Sequence, residues 1–296
     1  MKKIDTICFY HSADLDGICS GAIVKRFNPS VELRGYDYGK QFPWEDVVNK
    51  DIIMVDVSLP VEQMKKLKSI ANSFIWIDHH KSSIEDAANG DFSTNGLKEI
   101  GTAACELCWK FFFNELQMPT TVKMLGRYDV WDHRDIKVLP FQYGARHHIN
   151  GVDDPNWNLL LNSPSSFYDS EEKALDAGEL LYKIFDDGDV ILKYQTGENK
   201  KIANTCAFET KLLDLRVIAC NNPLTNSKVF DDVWDEDKHD AMLSFYINKD
   251  KNWRCSLYTT KDSVDVSGVA KILGGGGHAK AAGFIVKNGE PFPFAI

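Results

Sequence analysis

The sequence predicts an α/β fold, a doubly wound parallel-sheet domain followed by a second, smaller α/β domain. Three observations predict it. Short apolar runs of strand length alternate with helix-period stretches through the first half of the 296-residue chain, the pattern of successive βαβ units. Three of those runs end in a carboxylate or an imidazole within the first eighty residues, as strand C-termini facing one crevice would. Past residue 150, turn formers (Asn150-Gly151-Val152-Asp153-Asp154-Pro155, then Asn162-Ser163-Pro164-Ser165-Ser166) give way to a strand-rich pattern.

Taken in order, Thr6–Tyr10 reads as a buried strand and Gly17–Phe27 as a helix carrying Ile18, Ala22 and Val24. Val31–Tyr36 and Asp51–Val57 are the next strands. Pro60–Ala71 is an amphipathic helix, with Val61, Met64, Leu67 and Ile70 three apart. Phe74–Ile77 is a fourth strand, and Thr102–Leu116 and Thr121–Tyr128 read as helices. Glu171–Phe185, with Ala174, Ala177, Leu180, Leu181 and Ile184, is a helix within a connector. Leu215–Cys220, Ala241–Asn248 and Trp253–Thr259 are strands, followed by a helix at Val266–Leu273 and a strand at Phe284–Val286. The expected organisation is a first domain over residues 1–150, a helical connector over 151–205 and a second domain over 206–296.

Composition narrows the function classes. The chain is 44% hydrophobic and 26% charged, the balance of a globular protein that resides in water. No apolar stretch has the length of a membrane span, and Asp5, Asp14 and Asp16 break any secretory leader, so a cytoplasmic location is expected, with no membrane partner. Seven irregularly spaced cysteines do not form a disulfide framework. Cys105 and Cys108 make a C-x-x-C, yet they sit in a helix interior without a second pair and read as two small buried hydrophobes. A net charge of −9 argues against a surface for long duplex nucleic acid. A small anionic substrate stays compatible, since metal ions supply positive potential locally.

The chemistry concentrates at the strand ends. His11-Ser12-Ala13-Asp14-Leu15-Asp16-Gly17 follows the first strand, Asp56 closes the third and Asp78-His79-His80 the fourth. Singly, each has a plainer explanation: an aspartate caps a helix, and a histidine doublet sits on the surface. Together, in order and each at a strand end, they describe a divalent-metal site for two ions, the kind that activates a phosphoester. The mixed oxygen and nitrogen donors favour manganese, with magnesium or cobalt compatible, and the lack of thiolate donors argues against structural zinc.

These motifs, with the distant Gly274-Gly275-Gly276-Gly277-His278-Ala279-Lys280-Ala281-Ala282-Gly283, resemble the DHH phosphoesterase family and its associated C-terminal domain. The matches run from residue 11 to residue 283. The resemblance implies His11, Asp14 and Asp56 on one ion, and Asp16, Asp56, His79 and a later aspartate on the other. Asp129 is preferred for that later place, with Asp132 the alternative. It further implies His80 at the substrate phosphate or leaving group, Asp78 orienting the histidines, and Gly275, Gly276, Gly277 and His278 gripping a nucleotide phosphate. Arg254, Arg127 and Lys280 are further phosphate contacts to weigh against simple surface charges. His147-His148 reads as structural rather than catalytic.

Two departures bear on substrate. Three positions separate His11 from Asp14, where many relatives that cut cyclic dinucleotides have four, and Tyr258 stands where many have arginine. A tyrosine there can stack on a base. The shorter spacing looks more like the nano-RNase branch, and the favoured function is manganese-dependent hydrolysis of short single-stranded oligonucleotides to nucleoside monophosphates. Cyclic-dinucleotide hydrolysis, removal of phosphate from 3′-phosphoadenosine 5′-phosphate, and nucleotide sensing without turnover are the alternatives. A homodimer is left open.

Overall fold

The computed structural model describes residues 5–162, 175–223 and 226–294. The chain divides into two compact units, Met1–Leu192 and Lys193–Ile296. The division falls inside the stretch expected to connect the domains, within one continuous helix.

The first unit holds β1 (Thr6–His11), α1 (Leu15–Phe27), β2 (Glu32–Tyr36), β3 (Asp51–Val55), α2 (Val61–Ile70), β4 (Ser73–Ile77), α3 (Lys81–Asn89), α4 (Ala104–Phe112), α5 (Thr120–Asp129), α6 (Val138–His148), α7 (Trp157–Leu160) and the start of α8 (Leu175–Cys206). Its four strands are all parallel, in the order β2-β1-β3-β4. The order reverses between β1 and β3, so a crevice opens at their C-terminal ends.

Strand periodicity explains why helices cover both faces. Ile7, Phe9, Ile52, Met54, Phe74 and Trp76 point into one core, with Met64 and Leu67 of α2 and Ala87 of α3. The alternating residues Cys8, Ile53, Val55 and Ile77 point into the other, against α1 and α4 to α8. Each such apolar side chain contributes about 1.5–3 kcal/mol on leaving water. The cysteine pair is as expected: Cys105 and Cys108 are wholly buried in α4, and all seven cysteines are free.

The second unit carries β5 (Ala207–Leu212), β6 (Leu215–Asn221), β7 (Ala241–Ile247), β8 (Trp253–Tyr258), α9 (Val266–Ile272), β9 (Gly276–Gly277) and β10 (Ala281–Val286). They form a mixed sheet ordered β5-β6-β7-β8-β10-β9, in which only β6 and β7 run parallel. Val266 and Ala270 of α9 pack on Leu243, Phe245, Leu257 and Phe284 of one face.

Several elements differ from expectation. The third strand stops at Val55 rather than Val57, because Asp56 turns into the left-handed region at φ 57°. The helix expected over Glu171–Phe185 runs on to Cys206, and its first residues, Glu171–Ala174, lie outside the described residues, as do Ser163–Ser166. Helices α3, α6 and α7 and strands β5 and β9 were not anticipated. Among the described residues no helix is long and apolar enough to cross a membrane.

Candidate metal centre

Parallel strands deliver the site residues to one edge of the first sheet. β1 ends in His11, β3 runs into Asp56 and β4 into Asp78, His79 and His80. The turn after β1 is forced by Gly17: a Cβ there would stand 2.1 Å from the His11 carbonyl oxygen. Only glycine lets α1 begin against that backbone. Asp14 caps α1, its Oδ1 accepting from the Gly17 N–H at 3.0 Å, while Oδ2 lies 3.5 Å from His11 Nε2. The plain capping role and a place in the cluster are therefore both realised.

His79 is the hub. Its Nε2 lies 3.2 Å from Asp56 Oδ1, 3.2 Å from Asp129 Oδ2 and 3.4 Å from Asp16 Oδ2. Asp16, Asp56 and His79 are all buried, and their donor atoms lie within 4.8 Å of one another. Asp129, at the last turn of α5, arrives from another element altogether. Asp132 does not join them, since its carboxylate is held by the Arg134 guanidinium at 2.6 and 2.9 Å. Asp16 also ties the cluster to α4: its two oxygens accept from the Ala104 and Cys105 N–H groups at 2.9 and 2.8 Å. The helix N-terminus offsets some of the negative charge.

What remains is uncompensated. Burial, and then the charge of Asp129, pushes the Asp16 carboxyl up to about 7. Burial, then Asp14, does the same to Asp129, up to about 7, and burial with Asp16, Asp14 and Asp129 drives Asp56 well above the usual carboxylate range. Asp56 Oδ1 and Asp129 Oδ2 are buried acceptors with no donor among the described residues. Burial also lowers the pKa of His79, leaving its imidazole neutral. Buried, mutually repelling carboxylates around a neutral imidazole are the donor set a divalent cation requires. The residues fit a metal.

Asp78 and His80 behave differently. Asp78 is fully buried and accepts four hydrogen bonds, from the His79 N–H (2.7 Å), the His80 N–H (3.1 Å), His80 Nδ1 (2.7 Å) and Trp76 Nε1 (3.1 Å). Burial opposes its charge, but His80 holds the carboxyl down to about 2. Burial likewise opposes the His80 charge, yet Asp78 raises the imidazole to about 9. At neutral pH they form an ion pair beside the cluster.

Two residues were missed. Asp37 Oδ1 lies 3.3 Å from His11 Nδ1 and accepts from the Ser12 N–H and hydroxyl at 3.0 and 2.9 Å. It stands on the Nδ1 side of His11, whose Nε2 faces Asp14. Tyr38 places its ring 5.9 Å from that of His11 and 6.1 Å from that of His80. The signal was available: Asp37 directly follows an expected strand, as Asp56 and Asp78 do.

In the second unit, Gly276 pairs with Gly283 and Gly277 with Ala282, and the His278 N–H donates to the Ala281 carbonyl at 2.8 Å. A Cβ at Gly275 would meet the Gly283 carbonyl at 1.9 Å, so close strand approach by itself accounts for this glycine. Tyr258 lies opposite Ala281, and Arg254, exposed, opposite Ile285 on the same strand pair. Lys280 is engaged with Asp262 at 2.8 Å and Arg127 with Asp135 at 3.2 Å.

Comparison with known proteins gives two family matches: residues 6–126 to the DHH family, N-terminal domain, and residues 222–296 to the DHHA1 domain. The uncharacterized protein R106 of Acanthamoeba polyphaga mimivirus is 25% identical over 268 residues, covering 84% of this chain and 56% of that protein. The chain thus spans about half the length of the curated relative it matches. Among solved structures, a member of the S1p family of ribosomal proteins, the PF0399 DHH domain, aligns over 96% of this chain and 82% of its own at 14% identity and a TM-score of 0.54, a likeness of fold. The pGpG-specific phosphodiesterase PggH from Vibrio cholerae aligns over 96% and 94% at 13% identity, with a TM-score of 0.43.

Proposed function

The chain belongs to the DHH family, whose phosphoester hydrolysis depends on metal, and we propose that it cleaves short single-stranded oligonucleotides to nucleoside monophosphates. The observation that carries the reading is the convergence of buried Asp16 and Asp56 and half-buried Asp129 on His79, with Asp56 Oδ1 and Asp129 Oδ2 lacking a hydrogen-bond donor among the described residues. His11, Asp14 and Asp56 would hold one ion, and Asp16, Asp56, His79 and Asp129 a second, manganese being favoured by the donor mixture. Two such ions supply Lewis acidity and positive charge at a phosphoryl group.

The chain's own residues do the rest. Asp78 holds the His80 ring through Nδ1 and the backbone of the doublet through both N–H groups, and Asp37 stands beside His11 Nδ1. His80, kept protonated by Asp78, carries a proton on Nε2 that serves a phosphate oxygen or the leaving oxygen as hydrogen-bond donor and then as acid. Gly275, Gly276, Gly277 and His278 are assigned to the terminal phosphate of the substrate, with Tyr258 as a stacking surface and Arg254 as a further phosphate contact. A chain of net charge −9 has few means to track a long backbone, so two- to five-residue substrates are preferred over long strands and duplex.

The test is a manganese-supplemented activity screen over di- to pentanucleotides, long single strands, cyclic dinucleotides and 3′-phosphoadenosine 5′-phosphate. Highest kcat/KM on the di- to pentanucleotides is the expected result. Faster cleavage of long strands, or turnover confined to either alternative substrate, replaces the oligonucleotide assignment. Nucleotide binding without any turnover replaces the hydrolytic one.

A further inference from the structure

A second group of metal-binding side chains lies away from the site just described. His147 and His148 end α6, Asp187 lies on α8, and one donor atom from each falls within 4.8 Å of the others. We infer that His147, His148 and Asp187 form a peripheral site for a divalent ion that prefers imidazole, such as zinc, tying the end of α6 to α8.

Four features support it. First, the helices that carry the donors are locked together beside them. A Cβ on Gly144 would stand 1.8 Å from the Ile184 carbonyl oxygen, and one on Gly188 1.9 Å from that of Pro140. The two backbones therefore touch. His148 lies one turn beyond Gly144, and Asp187 is the residue before Gly188, so the crossing presents the donors in fixed register.

Second, two of the donors already meet: His148 Nε2 and Asp187 Oδ2 share a hydrogen bond at 2.7 Å, which a small separation would turn into two ligands of one ion. The His147 ring lies 5.0 Å from the His148 ring, at 78° to it. Ligand bonds of about 2.0–2.2 Å require donors nearer than 4.8 Å. His147 is exposed, so its side chain can swing in without disturbing the core.

Third, the field favours a cation. The last turn of a helix is the negative end of its dipole. Arg146, the nearest positive neighbour in sequence, is turned towards Tyr128 and Tyr143, with its guanidinium 5.8 and 5.9 Å from their rings.

Fourth, the donor set differs from that of the carboxylate-rich centre. Two imidazoles and one carboxylate suit a tetrahedral zinc ion with water in the fourth place, not a manganese pair. The ion would secure the first half of α8, the helix in which the first unit ends. Nothing in this inference depends on the substrate assigned above.

The experiment compares the full-length protein with His147→Ala and Asp187→Asn. All three proteins are dialysed against micromolar zinc, and bound metal is counted by elemental analysis. In parallel, cobalt is substituted and the intensity of its visible ligand-field bands read. Expected are one zinc equivalent fewer in each variant, loss of the tetrahedral cobalt bands, loss of part of the zinc-dependent rise in Tm, and unchanged manganese-supported activity. Asp187→Asn keeps an acceptor for His148, so its fold serves as the control for the helix contact. Equal zinc counts and equal cobalt spectra in all three proteins would overturn the inference and leave a hydrogen-bonded clasp without metal.

Discussion

The two units handle charge in opposite ways. In the second, carboxylates are matched by cations at the surface. Asp240 accepts from Arg216 at 2.8 and 3.0 Å and from Lys261 at 3.0 Å, and Lys280 meets Asp262. Hydrogen bonds from Arg216, acting against a small burial cost, hold the Asp240 carboxyl well below its usual range. In the first unit buried Asp16 and Asp56 stand beside half-buried Asp129, and their pKa values move the other way. One arrangement favours the folded chain as it stands. The other favours it only when a cation arrives, and binding and stability are then the same free energy.

The largest effect expected from this contrast is at Asp56. Asp56→Asn should reduce metal-supported hydrolysis to background and lower bound metal in elemental analysis. In the metal-free protein the same substitution should raise Tm, because it removes a buried carboxyl that must either bury an unpaired charge or hold a proton the unfolded chain gives up, while Asp240→Asn should lower it. If both substitutions shift Tm in the same direction, the contrast between the units fails.

Asp129→Asn comes next. Its loss of kcat/KM should exceed the roughly hundredfold limit seen when groups behind a metal ligand are lost. Asp132→Asn, which only releases Arg134 at the surface, should stay near wild type. A reversed order would move the metal-directed role to Asp132. Asp37→Asn should cost about 10–100-fold, the usual penalty for misorienting a ligating imidazole. An Asp37→Asn enzyme with full activity would mean that His11 needs no such support.

The smallest effect is a slope. With pKa values raised to about 7 from an ordinary value near 3.8, folded Asp16 and Asp129 hold protons that the unfolded chain has released. Stability of the metal-free protein should therefore fall as pH rises from about 4 to 7. Asp78 and His80 contribute little slope in that window. The Asp78 contribution is lost only as pH falls towards about 2, and that of His80, present in full below its ordinary 6.5, is lost as pH rises through about 9. Thermal melts of metal-stripped protein across this range should show the decline, and a saturating divalent metal should flatten it. A Tm that climbs with pH would show that the carboxylates are already compensated.

How far the sequence could be read follows from what each residue needed. Strand ends were legible because buried parallel strands are short apolar runs and a polar residue stops them abruptly, which made His11, Asp56 and Asp78 visible. Asp37 obeys the same rule and was overlooked because it belongs to no motif; its partner is His11, 26 positions earlier in the chain. Helix α6 was hidden by Pro140 in its first turn and Gly144 in its interior, both poor helix formers in isolation. The touch against α8 explains the glycine, and no local pattern encodes that contact. The second half of α8 escaped notice because Lys193–Asn204 lacks an apolar stripe. Asp129 and Asp132 looked alike as letters; the Arg134 fork on one of them separates them.

The backbone at Asp56 limits which substitutions this position accepts. Its φ of 57° excludes β-branched and bulky side chains but admits asparagine and glycine with little strain. Each of those is one base change from an aspartate codon. Most random lesions at position 56 should thus cost folding, whereas the two cheapest silence chemistry and spare the fold. A lineage can thus lose the proposed hydrolysis in a single mutational step while keeping its fold, and asparagine or glycine at this position is the mark by which such a descendant would be recognised.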